Sequence, residues 1–270
     1  MPASSASDDA SSHRLSEIRS FYDRWTPTIV EAAGTTLQFG LVKRSAEASV
    51  MPEDSSRYLA ELAGVAPGDH VLDAGCGVGG PALAIAQAVP GVVVDGVTVS
   101  EVQAAMARQL VAEAGLDDRV RIHVADFHHL PFADASFDVA VYFEVTGYSP
   151  DRSALYRESA RVLRPGGTVY VKDTFCEEEP LTEEQRGFME ASDQLWACAG
   201  SATLSETERA MRAAAFRDVR LRELPYVDRE HYFESMVTRD EGGMRLNAFG
   251  EAFLRFWEVP VIFGEVTARR

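Results

Sequence analysis

VLDAGCGVGG, residues 71–80, is the stretch from which the rest of the chain is read. An apolar run, short enough for a buried strand, ends at Asp73, and Gly75, Gly77 and Gly79 follow it. Glycine lets a backbone turn tightly and approach a ligand with no Cβ in the way. The next segment, PALAIAQAV (81–89), has helical character, so its N-terminal N–H groups and positive dipole end face the same point. A phosphate and a carboxylate would both be satisfied there. Gly75, Gly77 and Gly80 also fit the GxGxxG spacing, which on this segment alone leaves a nicotinamide or flavin cofactor open.

Working outward, GVVVDGVTV (91–99), RVRIHVAD (119–126), SFDVAVYFE (136–144) and TVYVKDTF (168–175) are strand-like. Residues 101–115 and ALYRESARVL (154–163) are helical, the latter stopped by Pro165-Gly166-Gly167. Strands alternating with helices describe a parallel sheet covered on both faces. Right-handed crossovers make that sheet doubly wound, with ligands bound beyond the carboxyl ends of its strands. Upstream, Ser16–Trp25 and Ser55–Ala63 carry apolar residues at helical spacing, whereas residues 34–50 show no clear period. Downstream, residues 177–197 predict an acidic amphipathic helix, and residues 205–216 a helix with Ser205 as N-cap and Glu208 at the capping-box position. RDVRLREL (217–224) predicts a strand, residues 229–256 a second helical insertion, and VPVIFGEVTA (259–268) a closing strand.

The formal net charge of -16 repels phosphate backbones, so nucleic acid is not an expected partner. No apolar run approaches the roughly 20 residues that a bilayer span needs. MPASSASDDASS at the N-terminus lacks the apolar stretch of a secretory signal. Its Ser, Ala and Asp predict a mobile tail over residues 1–13. Cys76, Cys176 and Cys198 form neither a metal pattern nor a disulfide framework, which suits a reducing cytoplasm. No metal site is expected, and a homo-oligomer is compatible with the composition.

The first motif, with VADFHHLPFADASFDVAVYFE (124–144), RVLRPGG (161–167) and AAAFRDVRLREL (213–224), resembles the class I S-adenosylmethionine-dependent methyltransferases in order and spacing. The resemblance implies a Rossmann-like, doubly wound, mostly parallel sheet with an antiparallel C-terminal strand and helical lid insertions. It divides the chain into the tail, an N-terminal helical lid (14–54), a cofactor-binding core (55–175), a helical insertion (176–204) and a C-terminal part of the core (205–270). The cofactor it implies is S-adenosyl-L-methionine. Its methionine part would lie against Asp73, Gly75, Cys76, Gly77 and Gly79, and its adenine would meet Asp126 and Phe127, with Val99 and Phe143 beside it. A carboxylate accepts well from an exocyclic amine. Most relatives end the second strand with an acidic residue for the ribose, but here that position is Thr98. Asp95, three residues earlier, faces the other side of the strand. The GVTVS…Q form is similar to a subgroup of sterol, tocopherol and prenyl C-methyltransferases, in which Gln103 is expected to help hold the ribose.

Glu144, in YFEVTGYSPD (142–151), ends the fourth strand, and enzymes of that subgroup look similar in carrying Glu there. Methylating a carbon nucleophile leaves a cation that must lose a proton, and a buried carboxylate stabilises the one and accepts the other. Glu144 as hydrogen-bond acceptor from the cofactor amine or a loop backbone is the equal alternative. Tyr148 stands beside it where relatives often show His. Tyr22 and Trp25 fall on the N-terminal helix, where they would line the acceptor or simply form its buried face. Phe188 and Trp196, on the first insertion, would line the acceptor pocket or pack helix on helix. Arg19, Arg24, Lys43 and Arg44 would meet a diphosphate if the acceptor carried one, or remain solvated charges. His128 and His129 are adjacent, point in different directions and are expected at the surface. The expected activity is methylation of a small organic molecule, at carbon in an isoprenoid or specialised natural product with Glu144 as base, or else at oxygen or nitrogen. A nicotinamide oxidoreductase and a non-catalytic cofactor-binding or scaffold protein are the rivals.

Overall fold

The computed structural model describes residues 4–178, 180–228, 237–240, 243–246 and 261–270. In chain order the elements are α1 (Ser4–Ala33), β1 (Leu41–Val42), α2 (Pro52–Leu62), β2 (His70–Ala74), α3 (Gly80–Ala88), β3 (Val93–Thr98), α4 (Glu101–Glu113), β4 (Val120–Val124) and β5 (Phe137–Phe143). There follow α5 (Arg152–Val162), β6 (Leu163–Cys176), α6 (Glu183–Trp196), α7 (Leu204–Ala213), β7 (Arg217–Glu223), β8 (Val227–Asp228), β9 (Val237–Asp240), β10 (Gly243–Leu246) and β11 (Val261–Arg269).

Seven strands form the main sheet in the order β4-β3-β2-β5-β6-β11-β7. The pairs from β4 to β6 are parallel, and β11 runs antiparallel between β6 and β7. Strand alternation sends successive side chains to opposite faces. Val71, Val94, Val139 and Val141 accordingly join Leu59, Ile85 and Ala104 in one apolar cluster. Leu72, Val97, Ala140 and Tyr142 join Leu155, Met211 and Phe216 in another. The chain leaves β2 toward β3 on one side and returns to β5 on the other. That reversal opens the crevice at the carboxyl ends of β2 and β5.

Several expectations are corrected. α1 begins at Ser4, inside the segment predicted to be a tail; helix extends backward from turns already docked, since propagation costs far less than nucleation. Its docked turns are held by Asp23, whose Oδ1 accepts from Ser100 Oγ (2.6 Å), and by Arg19 Nε, which donates to Val99 O (3.1 Å). α7 is capped two residues earlier than predicted, by Thr203 with Glu206 in a full capping box, while Ser205 bonds Glu178. Within the predicted helical insertion at 229–256, β9 and β10 instead pair antiparallel, Val237 opposite Leu246 and Asp240 opposite Gly243. Aromatic and Met content suggested a helix there, but β-branched Val237 and Thr238 suit a strand. Residues 229–236, 241–242 and 247–256 of that insertion lie outside the described residues.

Asp95 is buried on β3 and lies 2.5 Å from His70 Nε2 and 2.6 Å from His123 Nε2. It thereby ties β2, β3 and β4 together. Burial pushes its carboxyl up, but the hydrogen bonds from His70 and His123 more than offset this, and it titrates below the ordinary range. Asp95→Asn keeps one acceptor oxygen of two and is expected to lower stability by about 1–3 kcal/mol at pH 6. A lowered carboxyl contributes above its unfolded pKa and loses that contribution as pH falls through the folded value. The gap between variant and wild type should therefore close on acidification. Urea unfolding of both proteins at pH 6 and below pH 4 measures it; equal midpoints at pH 6 would refute the assignment.

Candidate active site

The crevice is shaped first by the turn after β2. Gly75 has φ +91°, and a Cβ there would come within 2.6 Å of Val145, so only glycine lets the loop press against the end of β5. The N–H groups of Gly75 and Cys76 both donate to Val97 O, at 2.8 and 2.9 Å. These two amides are spent on the sheet, and what they offer a ligand is shape. Gly79, in the left-handed conformation, is the N-cap of α3.

Beyond the loop lies a cavity of about 390 Å³, within the usual range for small-molecule sites. Its floor comes from the ends of β2, β3 and β5, and its roof from α1, the segment 35–39 and Trp196 of α6. Asp73, Gly75, Cys76, Gly77, Thr98, Val99, Gln103, Asp126, Phe127 and Phe143 all line it, as do Tyr22, Glu144, Tyr148 and Trp196. Gly79, Trp25 and Phe188 do not line it. Phe188 packs against Met189 of its own helix and against Cys176 of β6 and Val261 of β11, a contact of helix on sheet rather than helix on helix, and Trp25 lies beneath the Arg24 guanidinium at 5.1 Å.

The polar groups at the cofactor end are held in distinct ways. Asp73 is 2% exposed, and its Oδ2 has no hydrogen-bond partner among the described residues; burial pushes this carboxyl up to about 7. Thr98 Oγ1 donates to Gln103 Oε1 at 2.6 Å and fixes the orientation of that amide. Asp126 Oδ1 accepts from the backbone N–H of His128 (2.9 Å) and lies 2.7 Å from its Nδ1. Burial raises the Asp126 carboxyl, and these bonds overcome that and leave it below the ordinary range. His128 Nε2 in turn lies 2.8 Å from Ser149 Oγ. His129 is at the surface as expected, whereas His128 is 13% exposed, because Asp126 and Ser149 draw its ring inward.

At the other end, Glu144 closes β5 with φ +55°, a backbone strain that persists only where surroundings over-determine it. Its Oε2 accepts from Phe39 N–H (2.5 Å), and its Oε1 accepts from Gly40 N–H (3.2 Å) and from the Lys172 ammonium. The loop-backbone alternative for Glu144 is thus realised. Three of the roughly four lone-pair positions of a carboxylate are taken. The Tyr22 hydroxyl donates to the Tyr148 hydroxyl, joining α1 to the turn after β5. Burial raises both phenols well above their ordinary range, so they stay neutral. Trp196 meets the Phe39 ring edge-on at 4.9 Å and Phe21 at 6.3 Å.

Arg19, Arg24, Lys43 and Arg44 are engaged elsewhere: Arg44 pairs with Glu61, and Lys43 bonds Ala46 O. The residues that sequence reasoning missed are Leu37, Gln38 and Phe39 in the aperiodic segment, and Lys172. A lysine within an otherwise apolar strand was the one available signal.

Residues 72–171 match the family described as methyltransferase domain. The chain carries a methyltransferase domain. It is 39% identical over 160 residues to the 27-O-demethylrifamycin SV methyltransferase of Amycolatopsis mediterranei, covering 58% of each chain. It is 38% identical over 174 residues to 24-methylenesterol C-methyltransferase 2 of Oryza sativa, covering 63% of this chain and 47% of that one. The chain thus spans about half the length of the curated relatives it matches. A geranyl diphosphate methyltransferase solved in complex with SAM is 25% identical, with TM-score 0.67, over 81% of this chain and 85% of that one. The cyclase SpnF, at 24% identity, shares the fold with TM-score 0.75 over 94% of both chains. A fold hosts more than one chemistry, so the activity of the methyltransferase domain rests on its site.

Asp73 gives that site a stability signature. A carboxyl raised by burial costs nothing below its unfolded pKa, where both states are protonated; the cost grows as pH rises from there and is complete above the folded value. Asp73→Asn removes that cost. The ligand-free variant is expected to be about 2–4 kcal/mol more stable than wild type at pH 8, with no difference near pH 4. Chemical denaturation at both pH values decides it; a variant less stable at pH 8 would show that Asp73 has an internal partner.

Proposed function

We propose that this chain transfers the methyl group of S-adenosyl-L-methionine to a small, largely apolar acceptor, with carbon of an isoprenoid or related natural product as the methylated atom. The observation that carries this reading is the unpartnered, buried Asp73 carboxylate beside a glycine turn pressed against the end of β5. A cationic amino-acid moiety fits that pairing, since it supplies the charge that keeps Asp73 ionised. Asp126, with His128 on one oxygen, keeps Oδ2 for the adenine amine, and Phe127 lies alongside. Gln103, oriented by Thr98, serves the ribose. Bound there, the cofactor supplies an electrophilic sulfonium methyl.

The residues around the acceptor favour carbon. An alcohol gives up its proton as it attacks, and apart from Glu144 the cavity offers it little in the way of a free base. Tyr22 and Tyr148 stay neutral, and His128 is bonded on both ring nitrogens. A π-electron donor needs no deprotonation before attack and loses its proton afterwards. The remaining lone pair of Glu144 Oε2 takes that proton, and the carboxylate stabilises the cation that precedes it. Tyr22, Phe39 and Trp196 present aromatic faces to the same cation. Among the described lining residues the only arginine is Arg14, which donates to Glu17 and to Cys198 O; this favours an uncharged acceptor over a diphosphate. Oxygen methylation is the second reading, favoured by the likeness to the rifamycin enzyme. No membrane-crossing helix is present among the described residues.

Incubation with labelled cofactor and a panel of neutral isoprenoids, with and without hydroxyls, is expected to give a product heavier by one methyl group on carbon. Gain only on hydroxylated members would favour the oxygen reading. Binding of the cofactor should also require the Asp73 anion, so affinity is expected to fall by about tenfold per pH unit below pH 7. Asp73→Asn should flatten that slope, which calorimetry across pH 5–8 will read.

A further inference from the structure

We propose that Lys172 is a positioning residue. Its ammonium clamps Glu144 to the peptide at Gln38–Gly40 and thereby sets both the acceptor cavity wall and the one carboxylate lone pair left for chemistry. The chemical part of this rests on Glu144 as the anion of the transfer site; the clamp itself does not.

Lys172 lies in β6 between buried neighbours and has no exposure at all. A lysine in such a place must have every proton accepted. Its ammonium donates to Gly40 O (2.6 Å), to Gln38 Oε1 (3.2 Å) and to Glu144 Oε1, three acceptors for three protons, with the Phe263 ring 5.1 Å away. Glu144 is tied to the same residue through the main chain, because its N–H donates to Lys172 O at 2.7 Å. This bond holds the strained φ at the end of β5.

The ion pair grips the lid peptide from both sides. Gly40 donates its N–H to Glu144 and accepts from Lys172 through its C=O. Gly40 fits there because a Cβ would lie 2.4 Å from Val227 and 2.7 Å from Phe263. Phe39 donates to Glu144 and turns its ring against Trp196, and Gln38 and Phe39 both face the cavity. Removing the ammonium alone leaves Glu144 as a buried, uncompensated charge against the lid, whereas removing both charges leaves none. A glutamine oxygen at position 144 can accept from the adjacent Phe39 and Gly40 N–H groups together.

The test compares wild type, Lys172→Met and the double variant Lys172→Met/Glu144→Gln. Methionine keeps the apolar stem, so a packing role alone predicts no change. The expected result for Lys172→Met is loss of hydrogen-exchange protection at the Phe39 and Gly40 amides by about tenfold or more, with S-adenosylhomocysteine binding weakened by about tenfold. The double variant is expected to regain amide protection and affinity but no methyl transfer. Protection and affinity in Lys172→Met equal to wild type would overturn the proposal, as would a double variant no better protected than the single one. Should Lys172→Met fail to fold, a folded double variant with protected amides carries the same support. Amide protection is read without ligand, so a wild type that ignores S-adenosylhomocysteine would sink the cofactor reading alone.

Discussion

Between His70 and Asp138 at their amino ends and Asp73 and Glu144 at their carboxyl ends, β2 and β5 are buried on both faces and carry aliphatic or aromatic side chains. Val71, Leu72, Ala74, Val139, Ala140, Val141 and Tyr142 fill the two apolar layers above and below the sheet. Asp73 and Glu144 appear only where the strands give out. Because the chain runs to opposite sides of β2 in its two halves, the loops carrying these carboxylates diverge and leave a crevice between them. The chemistry is concentrated there because the rest of the two strands has no room for it.

Four carboxylates in the parallel half of the sheet, Asp95, Asp126, Glu144 and Asp73, meet desolvation in four ways. Asp95 is shared by two imidazoles away from the cavity and ties three strands. Asp126 receives His128 on one oxygen, and its other oxygen lies 3.6 Å from His129 Nδ1. Glu144 is neutralised by Lys172 and bonded to the lid backbone. Asp73 alone has an oxygen without a partner, and burial drives it toward the neutral acid. A buried acid left in that state is a cost to the fold that a bound cation removes, so the site is complementary to positive charge even though the net charge of -16 is spread over the whole chain.

The roof depends on long-range contacts. Phe21 and Tyr22 come from α1, Phe39 from the segment before β1, Tyr148 from the turn after β5 and Trp196 from the end of α6. The first two segments are consecutive, but Tyr148 and Trp196 come from far along the chain. Their convergence gives a largely apolar chamber wall with a neutral hydroxyl pair in it.

What local sequence decided is the layered sheet and its glycine turn. Period-two and period-3.6 patterns, glycine spacing and the Pro165-Gly166-Gly167 stop are all properties of consecutive residues, and the strands of the core and the cofactor end of the cavity were legible from them. Thr98 and Glu144 stand at strand ends, Asp126 just after one and Gln103 in the first turn of α4; the resemblance, not periodicity, singled out Gln103 and Asp126. Tertiary structure alone decided the rest. The segment 34–50 shows no period because it is shaped by what it touches: Gly40 is held by Lys172, 132 residues away. His128 turns inward for Ser149, Phe188 packs on the ends of β6 and β11, and Val237–Asp240 pairs with Gly243–Leu246 where composition suggested a helix. A buried lysine in a strand announces that it must have a partner, but only folding, by removing water from both charges at once, determines which carboxylate that partner is.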